Sequence, residues 1–179
     1  MEDSMKTLLL IFTSLVLSTP AWALFGITTV PNVDLGRFVG TWYRIASAPV
    51  IFDSNCACAR QILAAQSDGK VSVDNICRKG DPSGEIQEVA GYATADDDTH
   101  AKLSVHFQGI PWPGSYWIVA LDPNYNWAAV SDLFGYSLYL MARTPTLDAI
   151  SYLDAVDAID ASHVNTSNLQ MEVQEGCHY

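Results

Sequence analysis

The chain has 179 residues, enough for one domain with a substantial core, and carries 20 acidic against 9 basic side chains for a formal net charge of −11. This acidity argues against nucleic acid as a partner and against charge-driven attachment to anionic membranes.

The first 23 residues read as a secretory signal. The apolar run from Leu8 to Leu17 is too short to span a bilayer, and Ala21-Trp22-Ala23 is a small-x-small cleavage site. Lys6 is the only early cation, with Glu2 and Asp3 beside it, and Met5 is an alternative start. Residues 24–179 are then one secreted or lumenal domain, expected to be soluble because no second long apolar run follows, and a monomer is expected.

Pro31 to Phe38 is a lead-in segment, followed by short strands separated by turn signals. Strands are predicted over 39–48, 56–66, 70–78, 85–94, 101–107, 115–122, 126–131 and 136–142. Ser67-Asp68-Gly69-Lys70 is a hairpin turn, Gly80-Asp81-Pro82-Ser83-Gly84 a second turn, and Pro49 to Asn55 a loop. Asp96-Asp97-Asp98 lacks the spaced ligands of a calcium loop and reads as a solvated tip. After Arg143 the period lengthens: Ile150, Leu153, Val156 and Ile159, with Ala149 and Tyr152 filling the stripe, predict an amphipathic helix. Thr146 is its candidate N-cap, and Asp148 stands in its first turn. Asn165-Thr166-Ser167 is an N-glycosylation sequon, and Leu169 to Val173 a short last strand.

Cys56, Cys58, Cys77 and Cys177 are an even set behind a secretory signal, which reads as two disulfides in one of three pairings. A metal site on Cys-x-Cys would need further ligands, and only Cys177-His178 could add them. No metal or other cofactor is therefore expected. His100, His106, His163 and His178 are scattered, and no nucleophile, base and acid pattern or phosphate-binding loop is visible.

Three segments carry a family resemblance. Asp34-Leu35-Gly36-Arg37-Phe38-Val39-Gly40-Thr41-Trp42-Tyr43-Arg44-Ile45-Ala46 resembles the first signature of the lipocalins. Ser115 to Tyr125 is similar to the second, and Tyr139-Leu140-Met141-Ala142-Arg143-Thr144-Pro145-Thr146-Leu147 to the third. Within that family the chain resembles the apolipoprotein D and bacterial lipocalin branch, with cysteines placed as in plastid lipocalins. The resemblance implies an all-β, eight-stranded antiparallel up-and-down barrel, with a C-terminal helix packed outside and a short ninth strand. It implies a structural role for Gly40, Trp42 and Arg143, the arginine stacking on the indole to close one end. It also implies Cys58–Cys177, counted back from the Asp68-Gly69 turn, leaving Cys56–Cys77. The swapped pairing, Cys56–Cys177 with Cys58–Cys77, is the alternative.

The function implied is a carrier of a small hydrophobic molecule: a fatty acid, lysolipid, sterol or carotenoid. The alternative is a lipocalin-type enzyme working through an inward thiol or acid; Cys77 could serve only if one disulfide were absent. Strand 101–107 alternates cleanly, setting Leu103, Val105 and Phe107 inward and Lys102, Ser104 and His106 outward. The outward His106 argues against haem. The next three strands are apolar on both faces, so both must be covered. Taking Trp42 and Arg143 as inward sets Tyr139, Met141, Arg44 and Ala46 inward too. By the same family resemblance Asn75 faces the pocket, with Leu63 on the neighbouring strand, and Trp117 completes the candidate ligand-facing set, although ordinary core packing explains any one of these residues at least as well. In the loop 109–114, Ile110 and Trp112 stand between prolines at the expected rim. They read either as a peripheral membrane or lipoprotein contact or as a plug folded into the mouth.

Overall fold

A computed structural model describes residues 26–48 and 55–179; the signal read at 1–23 and most of the loop at 49–55 lie outside them. The lead-in contains one helical turn, α1 (Leu35–Phe38), capped by the Asp34 carboxylate, which accepts from the Gly36 and Arg37 amides. Eight strands follow: β1 (Gly40–Ser47), β2 (Cys56–Ala65), β3 (Val71–Lys79), β4 (Ile86–Ala95), β5 (Lys102–Phe107), β6 (Gly114–Leu121), β7 (Trp127–Ser131) and β8 (Leu138–Ala142). Each pairs antiparallel with the next, and β1 pairs with both β2 and β8, so the sheet closes into an up-and-down barrel. Helix α2 (Ala149–Ala161) packs outside, and β9 (Gln170–Met171) adds to the free part of the β1 edge.

Register decides which side chains share the lumen, because directly paired residues lie on one face. Trp42 pairs with Gln61, Gln61 with Asn75, and Asn75 with Val89. Leu103 pairs with Tyr116, and Ile118 with Val130, which pairs with Tyr139. One buried cluster, including Trp42, Leu63, Val73, Leu103, Val105, Ile118, Val130 and Met141, packs the lower part of the lumen. A second, including Ala46, Val119, Ala129, Leu138 and Leu140, lies outside and is covered by Ala155 and Ile159 of α2. The two-faced apolar strands thus meet core on one side and helix on the other.

Three details depart from simple periodicity. A register shift between Arg44 and Ala46 reverses parity along β1: Ala46 joins the outer cluster, and Ser47, opposite Tyr139, takes the inward place. The N-cap of α2 is Asp148 rather than Thr146; its carboxylate accepts from the Ile150 and Ser151 amides. The buried helix face is Tyr152, Ala155 and Ile159, where the small Ala155 permits close approach, whereas Ile150 and Leu153 are exposed.

The closed end is latched by Arg143. Its guanidinium carbon lies 3.7 Å from the Trp42 ring centroid. Its nitrogens donate to the carbonyls of Thr41 (3.2 Å), Arg37 (2.5 Å), Phe38 (3.2 Å) and Tyr125 (3.3 Å). Trp42 Nε1 donates to Phe38 O at 2.8 Å. Gly40 has φ +109°, and a Cβ there would stand 3.1 Å from Arg143 Nη1, so glycine serves both the backbone and the guanidinium. Arg143→Ala is expected to cost about 1–3 kcal/mol in urea unfolding, and Arg143→Lys to recover less than half, because an ammonium lacks the planar fork. Full recovery by lysine would reduce the latch to simple charge.

Candidate functional site

The lumen has one closed end and one open end. The turns 66–70, 96–101 and 122–126 lie at the Trp42 end with α1, whereas the loops 80–85, 108–113 and 132–137 surround the mouth. Between them the sequence-derived candidates separate by depth. Leu63, Leu103 and Val105 lie low and, with Leu35, Phe38, Val39 and Tyr116 among others, line a small void of about 10 Å³, roughly the room of one water. Asn75, Phe107 and Tyr139 are only partly buried. Phe107 is opposite Gly91, and the Arg44 guanidinium carbon is 5.4 Å from the Tyr139 ring centroid. Met141 is buried opposite Arg44 and Ala128.

Trp117 is not in this set. It belongs to the outer cluster, and Lys102 Nζ stands 4.7 Å from its ring centroid. Its pairing with Lys102, whose side chain faces out, fixes that orientation and turns Tyr116 inward. Because β6 is apolar on both faces, its hydrophobic pattern carries no parity signal.

Two polar arrangements in the lumen were not assembled by the sequence reading. In the first, Tyr116 Oη donates to Gln61 Oε1 at 2.7 Å, and Gln61 Nε2 donates to Asn75 Oδ1 at 2.8 Å. The chain of donors ends on the Asn75 carboxamide, whose NH₂ is the group a ligand oxygen would meet. Burial pushes the Tyr116 phenol far above its ordinary range, with Arg143 opposing, so it remains a protonated donor at neutral pH. A sequence signal existed here: a glutamine among inward apolar neighbours on β2 requires an inward polar partner.

In the second, Arg44 and Glu172 form a two-pronged ion pair at 2.8 and 3.2 Å, with side chains only 13% and 9% exposed, and Ser47 Oγ donates to Glu172 Oε1 at 2.5 Å. Glu172 comes from the tail after β9, which lies in the seam where β2 leaves β1. There the Glu172 amide donates to Ile45 O and the Cys58 amide to Val173 O, while Gln174 Nε2 donates to both Arg44 O and Ala59 O. The disulfides are Cys58–Cys177, which anchors this tail, and Cys56–Cys77; together they use all four thiols, Cys77 included. No spacing in the sequence links Glu172 to Arg44.

The remaining candidates lie outside the lumen. Ile110 and Trp112 are exposed on the β5–β6 loop, Trp112 by 77%, and Phe134 and Tyr136 project from the neighbouring β7–β8 loop. Trp112 therefore stands in solvent instead of plugging the mouth. Asn165 is exposed beside an outer cleft of about 400 Å³ that Tyr136 also lines. His106 faces outward and stacks on Tyr92 at 4.8 Å. Among the described residues no group of His, Cys, Asp and Glu could hold a metal ion, and no helix is long and apolar enough to cross a membrane.

Removing one member of the nearly dry Arg44–Glu172 pair should be costly. Glu172→Ala is expected to lose about 3 kcal/mol in denaturant unfolding, and the double change Arg44→Met/Glu172→Leu markedly less than the sum of its singles. Additive losses would show that the two charges do not depend on each other.

A sequence model described as a lipocalin-like domain matches residues 33–174. The outer membrane lipoprotein Blc of Citrobacter freundii is 36% identical over 126 residues, covering 68% of this chain and 68% of that protein. Apolipoprotein D of Bos taurus is 26% identical over 155 residues, covering 82% and 79%. Among solved structures, insecticyanin from the tobacco hornworm Manduca sexta superposes with a TM-score of 0.68 at 18% identity, covering 86% of this chain and 88% of that one.

Proposed function

Because the chain belongs to the lipocalin-like family, whose members typically bind small hydrophobic molecules, we propose that it is an extracellular carrier holding a fatty acid, lysolipid, sterol or carotenoid in the barrel rather than an enzyme. The observation that carries this reading is the lumen itself: apolar in its lower half, with Asn75, Phe107 and Tyr139 partly exposed above. A ligand enters from the mouth, lays its apolar part against Phe107, Val89 and Tyr139, and offers its polar group to Asn75 or to the Arg44–Ser47–Glu172 cluster. Apolar ligand surface leaves water at about 25 cal/mol per Å², so a single long chain supplies enough for a micromolar Kd after association costs.

Secretion rests on the signal read at residues 1–23, and N-glycosylation at Asn165 on the exposed sequon. Ile110, Trp112, Phe134 and Tyr136 project from two neighbouring loops at the open end, which favours transient contact of the mouth with an uncharged lipid surface, the source of such ligands. The protein works as a monomer in this reading.

Delipidated protein titrated calorimetrically with fatty acids, lysolipids, sterols and carotenoids should bind at least one class with micromolar affinity. Val89 pairs with Asn75 on the lumen face and is half exposed, so Val89→Trp narrows the mouth without repacking core. That variant should keep its melting temperature and lose binding at least tenfold. No heat with any class would overturn the carrier reading.

A further inference from the structure

β2 and β6 stand four strands apart in either direction around the eight-stranded ring, that is, diametrically opposite. The hydrogen bond of 2.7 Å from Tyr116 Oη to Gln61 Oε1 therefore spans the lumen. Below it lies the small void walled by Leu35, Phe38 and Val39 from the closed end and by Leu63, Leu103 and Val105 from the strands, with Tyr116 among its lining residues. Above it lie Asn75, Phe107, Val89 and Tyr139, on the side that opens to solvent. The phenol is thus a crossbar with apolar wall on both sides, held by Gln61, which Asn75 holds in turn at 2.8 Å.

The geometry points to Tyr116 as the residue that sets how far a ligand reaches into the barrel, making the bound molecule a single-chain amphiphile of limited length whose tail ends on the Tyr116 ring. The inference rests on the carrier reading and narrows it. A long rigid polyene or a fused-ring sterol that needs the full depth must displace the crossbar and leave Gln61 Oε1 without its donor, a buried polar group unsatisfied. A shorter acyl chain leaves it in place, packs on the ring edge, and keeps its polar head on the Asn75 side of the crossbar, beside Asn75 or near Arg44 and Ser47. Tyr116 acts on ligand length through shape, and Gln61 and Asn75 are its positioning residues.

The test is an even-carbon series of saturated fatty acids, from short to long, titrated calorimetrically into the delipidated full chain. Each methylene newly buried should tighten binding about fourfold, until the tail meets Tyr116 and the affinity levels off. Tyr116→Leu and Tyr116→Ala remove the ring and join the void to the upper compartment, the leucine keeping apolar cover over the lower cluster if alanine proves too unstable. Either variant should move the plateau to longer chains by at least one step of the series, leaving affinities for the shortest binders within about twofold of wild type. A wild-type series that rises without levelling, or a plateau that does not move when the ring is removed, would overturn the crossbar. Binding of no member of the series to wild type, with heat from a sterol or carotenoid, would overturn it while leaving the carrier reading standing, whereas no heat from any ligand class would end both.

Discussion

The guanidinium of Arg143 sits over the Trp42 indole and donates to four main-chain carbonyls from three separate segments. A lysine could be attracted to the ring but could not reach those carbonyls with a fixed planar fork. The contact joins the first barrel strand to the chain just beyond the last, about a hundred residues apart. It brings α1 under the strands, where Phe38 and Leu35 close the lumen. Everything above depends on that floor: with one end sealed, a molecule in the barrel enters and leaves by the other, between the loops that carry Trp112 and Phe134.

Above the floor, polarity is layered. The lowest layer is aliphatic and aromatic, the next is the Tyr116–Gln61–Asn75 relay, and the highest is the Arg44–Glu172 pair with Ser47. A wholly apolar lumen would collapse on itself or hold any oil equally well. In the proposed carrier, fixed polar groups at two depths would orient a bound molecule, since each donor or charge must be satisfied. The tail matters here because Glu172 is not part of the barrel strands. The segment that fills the β1–β2 seam also supplies the carboxylate that neutralises Arg44.

Much of this was legible in the sequence, and the limits have physical causes. Turn chemistry and the clean alternation of 102–107 locate strands within a residue or two. The three signatures give the barrel and the roles of Trp42 and Arg143 by resemblance. Parity failed where alternation was absent or interrupted. β6 is apolar on both faces, so Trp117 and Tyr116 could not be told apart without the pairing of Lys102 with Trp117. A bulge between Arg44 and Ala46 inverted β1 beyond it. The helix stripe failed differently: Ile150 and Leu153 have the spacing of a buried face, but the docking side is set by the small Ala155, which lets Ile159 and Tyr152 approach the barrel. Long-range polar pairs such as Arg44 with Glu172 leave no local trace at all.

The Cys58–Cys177 link spans 119 residues, and β1 receives its second neighbour, β8, only from Leu138 onward. The chain leaves the ribosome at about 5–20 residues per second, so β1 and β2 emerge before β8 exists. β2 can then cover one edge of β1 early, while the opposite edge waits for most of the chain to follow. Throughout that interval an unpaired edge, with Ile45 and Ala46 on it, is open to another nascent copy. The high separation of these contacts makes closure slow by topology alone, and until it is complete the β1 edge is where strand exchange between unfinished chains can begin.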